Sequence, residues 1–160
     1  MERSTVTLRP MTEAEYTAYV EQIRAQVTGE LRAAMPEEEA RATAAEGIAR
    51  HLPEGLATPR HSLLVAEDAS GTPVGNAWVG PDPNRGAAAD AAWLYGIDVH
   101  PDARRRGYGA AILGEVEALV ARQGGVRLGL NVFGGNEAAL ALYGRCGYAV
   151  TSLQMAKDVR

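Results

Sequence analysis

Residues 93–113 hold a basic, glycine-bearing loop between an apolar strand pattern and a helix pattern. The strand pattern ends at Val99, and the helix pattern begins directly after the loop at 104–109. Backbone N–H groups at the start of a helix lack internal partners and lie at the positive end of its dipole, so they can bind a di-anion such as a pyrophosphate. Gly107 and Gly109 let the main chain approach the phosphates without an intervening Cβ. The pattern predicts a phosphate-binding loop.

A second segment, residues 136–148, has a helix pattern that begins at Asn136 and contains Tyr143 and Cys146. The Arg-x-x-Gly-x-Gly pattern of the loop is weak by itself, because it arises by chance with odds of roughly one in five at this composition. Together, the loop and the second segment resemble the signature of the GNAT superfamily, the acetyl-CoA-dependent N-acetyltransferases. The resemblance is closest over residues 93–150, about a third of the chain.

The resemblance implies that acetyl-CoA is bound as a co-substrate and leaves as CoA. The main chain of the loop would hold the pyrophosphate through Arg105, Arg106, Gly107, Tyr108 and Gly109, with Arg104 opening the motif. Ile97, Asp98 and Val99 would lie along the pantetheine arm, which inserts between splayed parallel strands. Asn136 would contact the cofactor from the start of the last helix. Tyr143 would be the general acid beside the sulfur.

Transfer of an acetyl group from a thioester to an amine is compatible with these residue types. Orientation of the two reactants can supply ~7–11 kcal/mol, and a Tyr hydroxyl suffices to protonate the leaving thiolate. A main-chain N–H near Val99 would polarise the thioester oxygen, and neither a metal nor a protein nucleophile is needed. Simpler roles stay open: Tyr143 also fits core packing and Asn136 a helix N-cap, and Cys146 fits a structural role better than a nucleophilic one.

The general base is the least defined part of the predicted site. In several GNAT enzymes a Glu early in the equivalent of strand 92–99 deprotonates the amine, but Trp93, Leu94 and Tyr95 occupy those positions here. Asp98 shares alternation parity with Leu94 and Gly96 and is the best-placed carboxylate, as base or amine anchor. His100 and a water chain are comparable candidates, and a structural role for Asp98 is also open.

The bulk composition excludes several other classes of function. A hydrophobic content of 46% and a charged content of 22% are those of an ordinary soluble protein. The net charge of −4 argues against nucleic-acid binding and a polybasic membrane contact. The single Cys146, the absence of a signal-peptide core and the absence of an apolar run of ~18 residues favour a cytoplasmic protein. The three histidines are scattered, so no metal site is expected.

Periodicity predicts the elements that position these residues. The predicted strands lie at 5–9, 61–67, 73–79, 92–99, 126–132 and 148–155. The predicted helices begin after Thr12, at Pro36, after Gly109 and at Asn136, and residues 80–90 form a long exposed loop. This order predicts a single α/β domain over residues 1–160, with a central mixed sheet flanked by helices. The resemblance implies the GNAT-type acyl-CoA N-acyltransferase fold.

Three functions are consistent with the sequence. The favoured one is an N-acetyltransferase that moves acetyl from acetyl-CoA to a primary amine of a small molecule or peptide, by direct attack in a ternary complex. The second is a non-catalytic acyl-CoA-binding sensor or regulatory module of the same fold. The third is another nucleotide-binding α/β protein, although the chain lacks the Gly-x-x-x-x-Gly-Lys-Ser/Thr loop. No motif in the sequence identifies the acceptor or the preferred acyl chain. The resemblance is compatible with a homodimer.

Overall fold

A computed structural model describes residues 3–86 and 89–160. By contact clustering the chain divides into two compact units, Met1–Leu130 and Asn131–Arg160. The first unit contains strands β1 (Thr7–Pro10), β2 (Ser62–Glu67), β3 (Pro73–Pro81), β4 (Ala91–Val99) and β5 (Arg127–Leu130), and helices α1 (Glu13–Leu31), α2 (Glu37–His51) and α3 (Tyr108–Arg122). The second unit contains α4 (Glu137–Arg145). The single domain over 1–160 stays a prediction.

The five strands form one sheet in the order β1-β2-β3-β4-β5. The first three pairings are antiparallel, whereas β4 and β5 run parallel. This is the mixed sheet that the sequence predicts. A parallel pair requires a crossover connection, and α3 provides it between β4 and β5.

Each face of the sheet carries its own helices. Pairing of Leu63 with Trp78 puts both side chains on one face, where Tyr19 of α1 joins them in a buried apolar cluster. On the other face, Ile112 of α3 packs so closely over Gly75 that a Cβ there would lie 2.9 Å from its Cδ1 atom. We call these surfaces the α1 face and the α3 face.

A β-bulge in β4 changes which residues share a face. Trp78 pairs with Gly96 and its neighbour Val79 pairs with Leu94, so Tyr95 is an extra residue without a partner opposite it. Because adjacent residues of β3 point to opposite faces, Leu94 and Gly96 do so as well. The predicted shared parity of Asp98 with Gly96 is confirmed, but its shared parity with Leu94 is wrong.

The parallel pair ends where the bulge begins. The last pair joins Leu94 to Leu130, and β4 continues for five residues, Tyr95 through Val99, beyond it. On its β5 side, this stretch has no pairing partner among the described residues. A strand edge of this kind offers main-chain hydrogen-bonding groups to a ligand.

Several sequence expectations need correction. The strand expected at 148–155 is wrong: this segment forms no regular element, and Val150, Leu153 and Met155 are exposed. Alternation alone cannot make a strand without a partner to satisfy its main chain. The strand expected at 126–132 is shorter, Arg127–Leu130. In the region expected as an exposed loop, 80–81 belong to β3 and Asp82 is buried, while 87–88 lie outside the described residues.

Candidate active site

The loop after β4 adopts an unusual backbone conformation. After a short 3-10 turn, Pro101–Ala103, the chain passes through Arg105 with φ of 63° and Gly107 with φ of 81°, and α3 then begins at Tyr108. Such positive φ values cost little for glycine and are rare for other residues. Two left-handed residues within three positions fold the main chain tightly against the start of the helix.

Hydrogen bonds hold this loop in place from two sides. The Ser4 hydroxyl donates a short hydrogen bond to the Arg106 carbonyl. The Arg104 Nε atom donates to the Val99 carbonyl at 3.0 Å, and the same guanidinium lies 3.9 Å from Asp98. The loop is therefore tied both to the chain ahead of β1 and to the end of β4.

The start of α3 satisfies the requirements for an anion site. The first main-chain bond of the helix runs from Ala111 N–H to the Gly107 carbonyl at 3.2 Å. The N–H groups of Tyr108, Gly109 and Ala110 therefore precede the hydrogen-bond ladder, at the positive end of the helix dipole. Arg105 and Arg106 are exposed beside them. The predicted loop residues thus lie together, and their contact with a pyrophosphate stays a prediction.

The three β4 residues predicted to contact the cofactor divide between the two faces. Ile97 pairs with Ala77 and Val99 with Gly75, on the α3 face. All three residues lie in the stretch of β4 that continues beyond the last residue paired with β5. Asp98 pairs with Asn76 on the α1 face, where the Gln22 amide donates to its Oδ2 atom at 3.3 Å. Asp98 is thus a fixed, partly exposed carboxylate on the α1 face.

The second unit contains the other two predicted site residues. Asn136 caps α4, because its side-chain oxygen accepts from the Ala139 N–H at 3.1 Å. Tyr143 is partly buried, which raises the pKa of its hydroxyl above the ordinary value of a tyrosine. Its ring lies 5.7 Å from the ring of Tyr148 in an edge-on arrangement. The general-acid role of Tyr143 stays a prediction, and Cys146 lies at the C-cap of the helix.

An aromatic and histidine cluster lies on the α1 face beside the bulge. The Tyr95 ring stacks on Trp78 at 4.8 Å and lies 5.0 and 5.3 Å from the rings of His51 and His61. Trp78 donates from Nε1 to Nδ1 of His61 at 3.0 Å. Partial burial lowers the pKa of both histidines, so they favour the neutral form. Trp78 and Tyr95 are thus brought together on the α1 face.

The sequence does not single out Tyr19 or Gln22 as site residues. Tyr19 reaches the β4 backbone, since a Cβ at Gly96 would lie 2.8 Å from its hydroxyl oxygen. A glycine inside a strand often marks a close approach or a bulge. Gly96, inside the predicted strand 92–99, is the sequence signal that could have indicated both the bulge in β4 and the close approach of Tyr19.

Two searches of the described residues gave negative results. No group of three or more His, Cys, Asp and Glu side chains in 3–86 and 89–160 is arranged to hold a metal ion. No helix in the same part of the chain is long and apolar enough to cross a membrane.

The mixed sheet, with its loop leading into α3, is the architecture that the resemblance implies, and sequence comparison specifies the family. Residues 11–148 match the model of the acetyltransferase (GNAT) family. The chain therefore belongs to the GNAT family, and the protein is an acetyltransferase. The resemblance and the fold class inferred from the sequence are confirmed.

Similar proteins agree with this assignment. The uncharacterized N-acetyltransferase YycN of Bacillus subtilis (strain 168) is 29% identical over 108 residues, 68% of each chain. YdgE of the same organism, also an uncharacterized N-acetyltransferase, is 27% identical over 96% of this chain and 98% of its own. The crystal structure of YycN has a TM-score of 0.88 at 25% identity, covering 98% of this chain and 99% of that one.

A more distant structure contains both substrates in one molecule. AAC(6')-Iy, in complex with the bisubstrate analogue CoA-S-monomethyl-acetylneamine, has a TM-score of 0.58 at 19% identity and covers 98% of this chain and 99% of its own. At this identity the likeness establishes the shared fold.

Proposed function

We propose that the protein transfers acetyl from acetyl-CoA to a primary amine of a small molecule or peptide, by direct attack in a ternary complex. The observation that carries the proposal is the loop at 104–109, with left-handed Arg105 and Gly107 leading into the start of α3. This arrangement suits a pyrophosphate better than a monovalent anion, because several main-chain N–H donors lie together at the start of α3 and the exposed Arg105 and Arg106 add positive charge beside them. CoA supplies such a pyrophosphate.

The unpaired edge of β4 suits the rest of the cofactor. The pantetheine arm of CoA contains amide groups, which can hydrogen-bond to a strand edge as another strand would. In this proposal Ile97, Asp98 and Val99 bind the arm, and Asn136 contacts the cofactor from α4. The CoA complexes of AAC(6')-Iy, a protein of the same fold, support the choice of CoA.

The reaction requires no protein nucleophile. The amine nitrogen attacks the thioester carbonyl carbon, a C–N bond forms, and the C–S bond then breaks. Tyr143 donates its proton to the leaving thiolate, so that CoA leaves as the free thiol. The nitrogen loses one proton to Asp98 or to water, which leaves a neutral amide, and proton exchange with solvent then restores Tyr143 and the base. Tyr143 is protonated at neutral pH, and burial raises its pKa further, which favours its rapid reprotonation.

A small-molecule amine is the acceptor class that the comparisons favour. AAC(6')-Iy and AAC(6')-Ih are named as aminoglycoside N-acetyltransferases, and aminoglycosides carry primary amines. The α1 face beside the bulge offers the carboxylate of Asp98 for an amine and the ring of Tyr95 for its carbon skeleton. We propose this face as the acceptor side.

Substitution of Tyr143 by Phe tests the catalytic role. We expect the variant to lose most of its turnover and to keep its CoA affinity, because the ring remains and the proton donor is removed. Turnover is followed as free thiol with a panel of neamine, spermidine, benzylamine and a dipeptide, and CoA affinity by calorimetry. The matched control is Tyr148→Phe, which removes the hydroxyl from the neighbouring ring.

Two results would contradict the proposal. Equal loss in Tyr143→Phe and Tyr148→Phe would show that the effect is not specific to the proton donor. No turnover by the unaltered protein with any amine of the panel, despite CoA binding, would favour the non-catalytic alternative.

A further inference from the structure

Tyr19 is buried, yet its hydroxyl has no protein partner. The residue is 5% exposed, and no hydrogen bond joins its hydroxyl to another residue of the described chain. Within that same part of the chain, every polar side-chain atom that is closed off from solvent does have a partner. The Tyr19 hydroxyl is therefore not closed off, and it must reach accessible space through a narrow opening. A small polar group could enter there.

This opening lies at the bulge of β4. The Tyr19 hydroxyl is the sole atom within 4 Å of the position that a Cβ on Gly96 would take, at 2.8 Å. Gly96 follows the bulge residue Tyr95, and it lies two residues beyond Leu94, where pairing with β5 ends. The hydroxyl thus approaches the sheet where the unpaired edge of β4 begins.

Asp98 lies beside the same opening. It shares the α1 face with Gly96, where the absence of a side chain lets the Tyr19 hydroxyl approach the strand. Burial raises the pKa of Tyr19 well above its ordinary value, and the negative charge of Asp98 raises it further. Tyr19 is therefore a neutral phenol within the electrostatic influence of Asp98, and its oxygen has a lone pair that can accept a hydrogen bond.

Packing does not account for the hydroxyl. Phenylalanine would fill the same ring volume in the cluster around Trp78 without the cost of partly desolvating an oxygen that has no protein partner. A polar group that is mostly buried and lacks a protein partner calls for an explanation in terms of water, a ligand or function.

We propose that Tyr19 is an acceptor-binding residue whose hydroxyl oxygen accepts a hydrogen bond from an N–H group of the attacking primary amine. This proposal rests on the proposed function and specifies the amine class. A primary amine that attacks through its lone pair keeps two N–H groups, of which one can donate a hydrogen bond to Tyr19 and the other to Asp98. The nitrogen becomes positive as the C–N bond forms, so both hydrogen bonds strengthen in the transition state. A secondary amine keeps one N–H and can satisfy only one of the two oxygens.

The test compares Tyr19→Phe with Tyr16→Phe. Tyr16 belongs to the same helix and packs against the same cluster, but its hydroxyl lies beside Gly55, so it serves as the matched control. The acceptors are the best amine of the panel and its N-methyl derivative. We expect Tyr19→Phe to lower kcat/KM for the primary amine about tenfold, to reduce the preference over the N-methyl derivative, and to leave CoA affinity and thermal stability no lower.

Other outcomes would overturn the proposal. An unchanged preference for the primary amine in Tyr19→Phe, or the same loss in Tyr16→Phe, would assign the hydroxyl no acceptor role. No turnover of any amine by the unaltered protein would contradict the proposed function, and this proposal with it. A turnover loss in Tyr19→Phe that is accompanied by an equal loss of CoA affinity would contradict this proposal alone.

Gly96→Ala provides an independent variant. Its Cβ would lie 2.8 Å from the Tyr19 oxygen and displace it, so we expect the same reduced preference for the primary amine. In combination with Tyr19→Phe the clash is removed. The double variant should recover thermal stability but not the preference, and recovery of both would contradict the proposal.

Discussion

Gly107→Ala is the most direct test of the phosphate-binding loop. Gly107 has φ of 81°, and the nearest atom to a Cβ there would be the Ser4 Oγ at 3.7 Å. The substitution therefore meets no clash within the free protein, and its cost is the backbone strain of a left-handed alanine, ~1–2 kcal/mol. For a chain of this size that corresponds to a fall of about 2–8 °C in Tm.

The effect on CoA should exceed this strain. A hydrogen bond from a main-chain N–H to a charged group contributes ~1.5–3 kcal/mol, so disturbance of one such bond weakens CoA binding roughly 10- to 100-fold. Gly71→Ala is the matched control, since Gly71 has φ of 83° with open space around it in the β2–β3 hairpin. It carries the same strain at a distance in sequence from the loop.

Calorimetry with CoA and thermal denaturation with and without CoA measure both effects. We expect both variants to lose similar stability, and Gly107→Ala alone to lose CoA affinity and the upward shift in Tm that CoA causes. Equal CoA affinity in the two variants would refute the assignment of the loop.

Three further predictions concern other parts of the structure. Ser4→Ala removes the hydrogen bond to the Arg106 carbonyl, so calorimetry should show CoA binding weakened about two- to tenfold, and unchanged affinity would mean that the loop needs no such tie. Gly114→Ala, in the interior of α3 with nothing within 4 Å, should stabilise the protein by ~0.5–1 kcal/mol in urea denaturation, and a loss would contradict the open geometry. The neutral form of His61, which accepts from Trp78, contributes stability above pH ~6.5 that is lost as pH falls through its lowered pKa. His61→Asn should therefore make the urea midpoint fall less between pH 7.5 and pH 5. An unaltered fall would show that His61 is not a source of the pH dependence of stability.

The sequence predicts those features that depend on local chemistry. Thr12 accepts a hydrogen bond from the Glu15 N–H at the start of α1, and Asn136 caps α4, as their residue types indicate. Gly107 in the loop has the positive φ for which glycine is suited. These outcomes follow from a side chain and its immediate neighbours.

Features that depend on long-range pairing are not predictable in this way. Alternation over 148–155 predicts a strand, but a strand also needs a partner, and none is paired with it in the described structure. The bulge at Tyr95 likewise follows from the register between β3 and β4 and not from any residue of β4 alone. The parity assigned to Asp98 relative to Leu94 failed for this reason.

In the proposed site, the same bulge lets one strand serve two substrates. Beyond Tyr95, the side chains of Ile97 and Val99 point to the α3 face, toward the helix that starts at the phosphate-binding loop, whereas Asp98 points to the α1 face and Tyr19. If β4 alternated regularly without a bulge, Leu94 would share a face with Asp98 and would bring a bulky apolar side chain to the α1 face, beside Gly96 and the Tyr19 hydroxyl. The bulge instead keeps Leu94 buried on the α3 face. Separation of the proposed cofactor and acceptor sides within three residues is therefore a property of the register of β4.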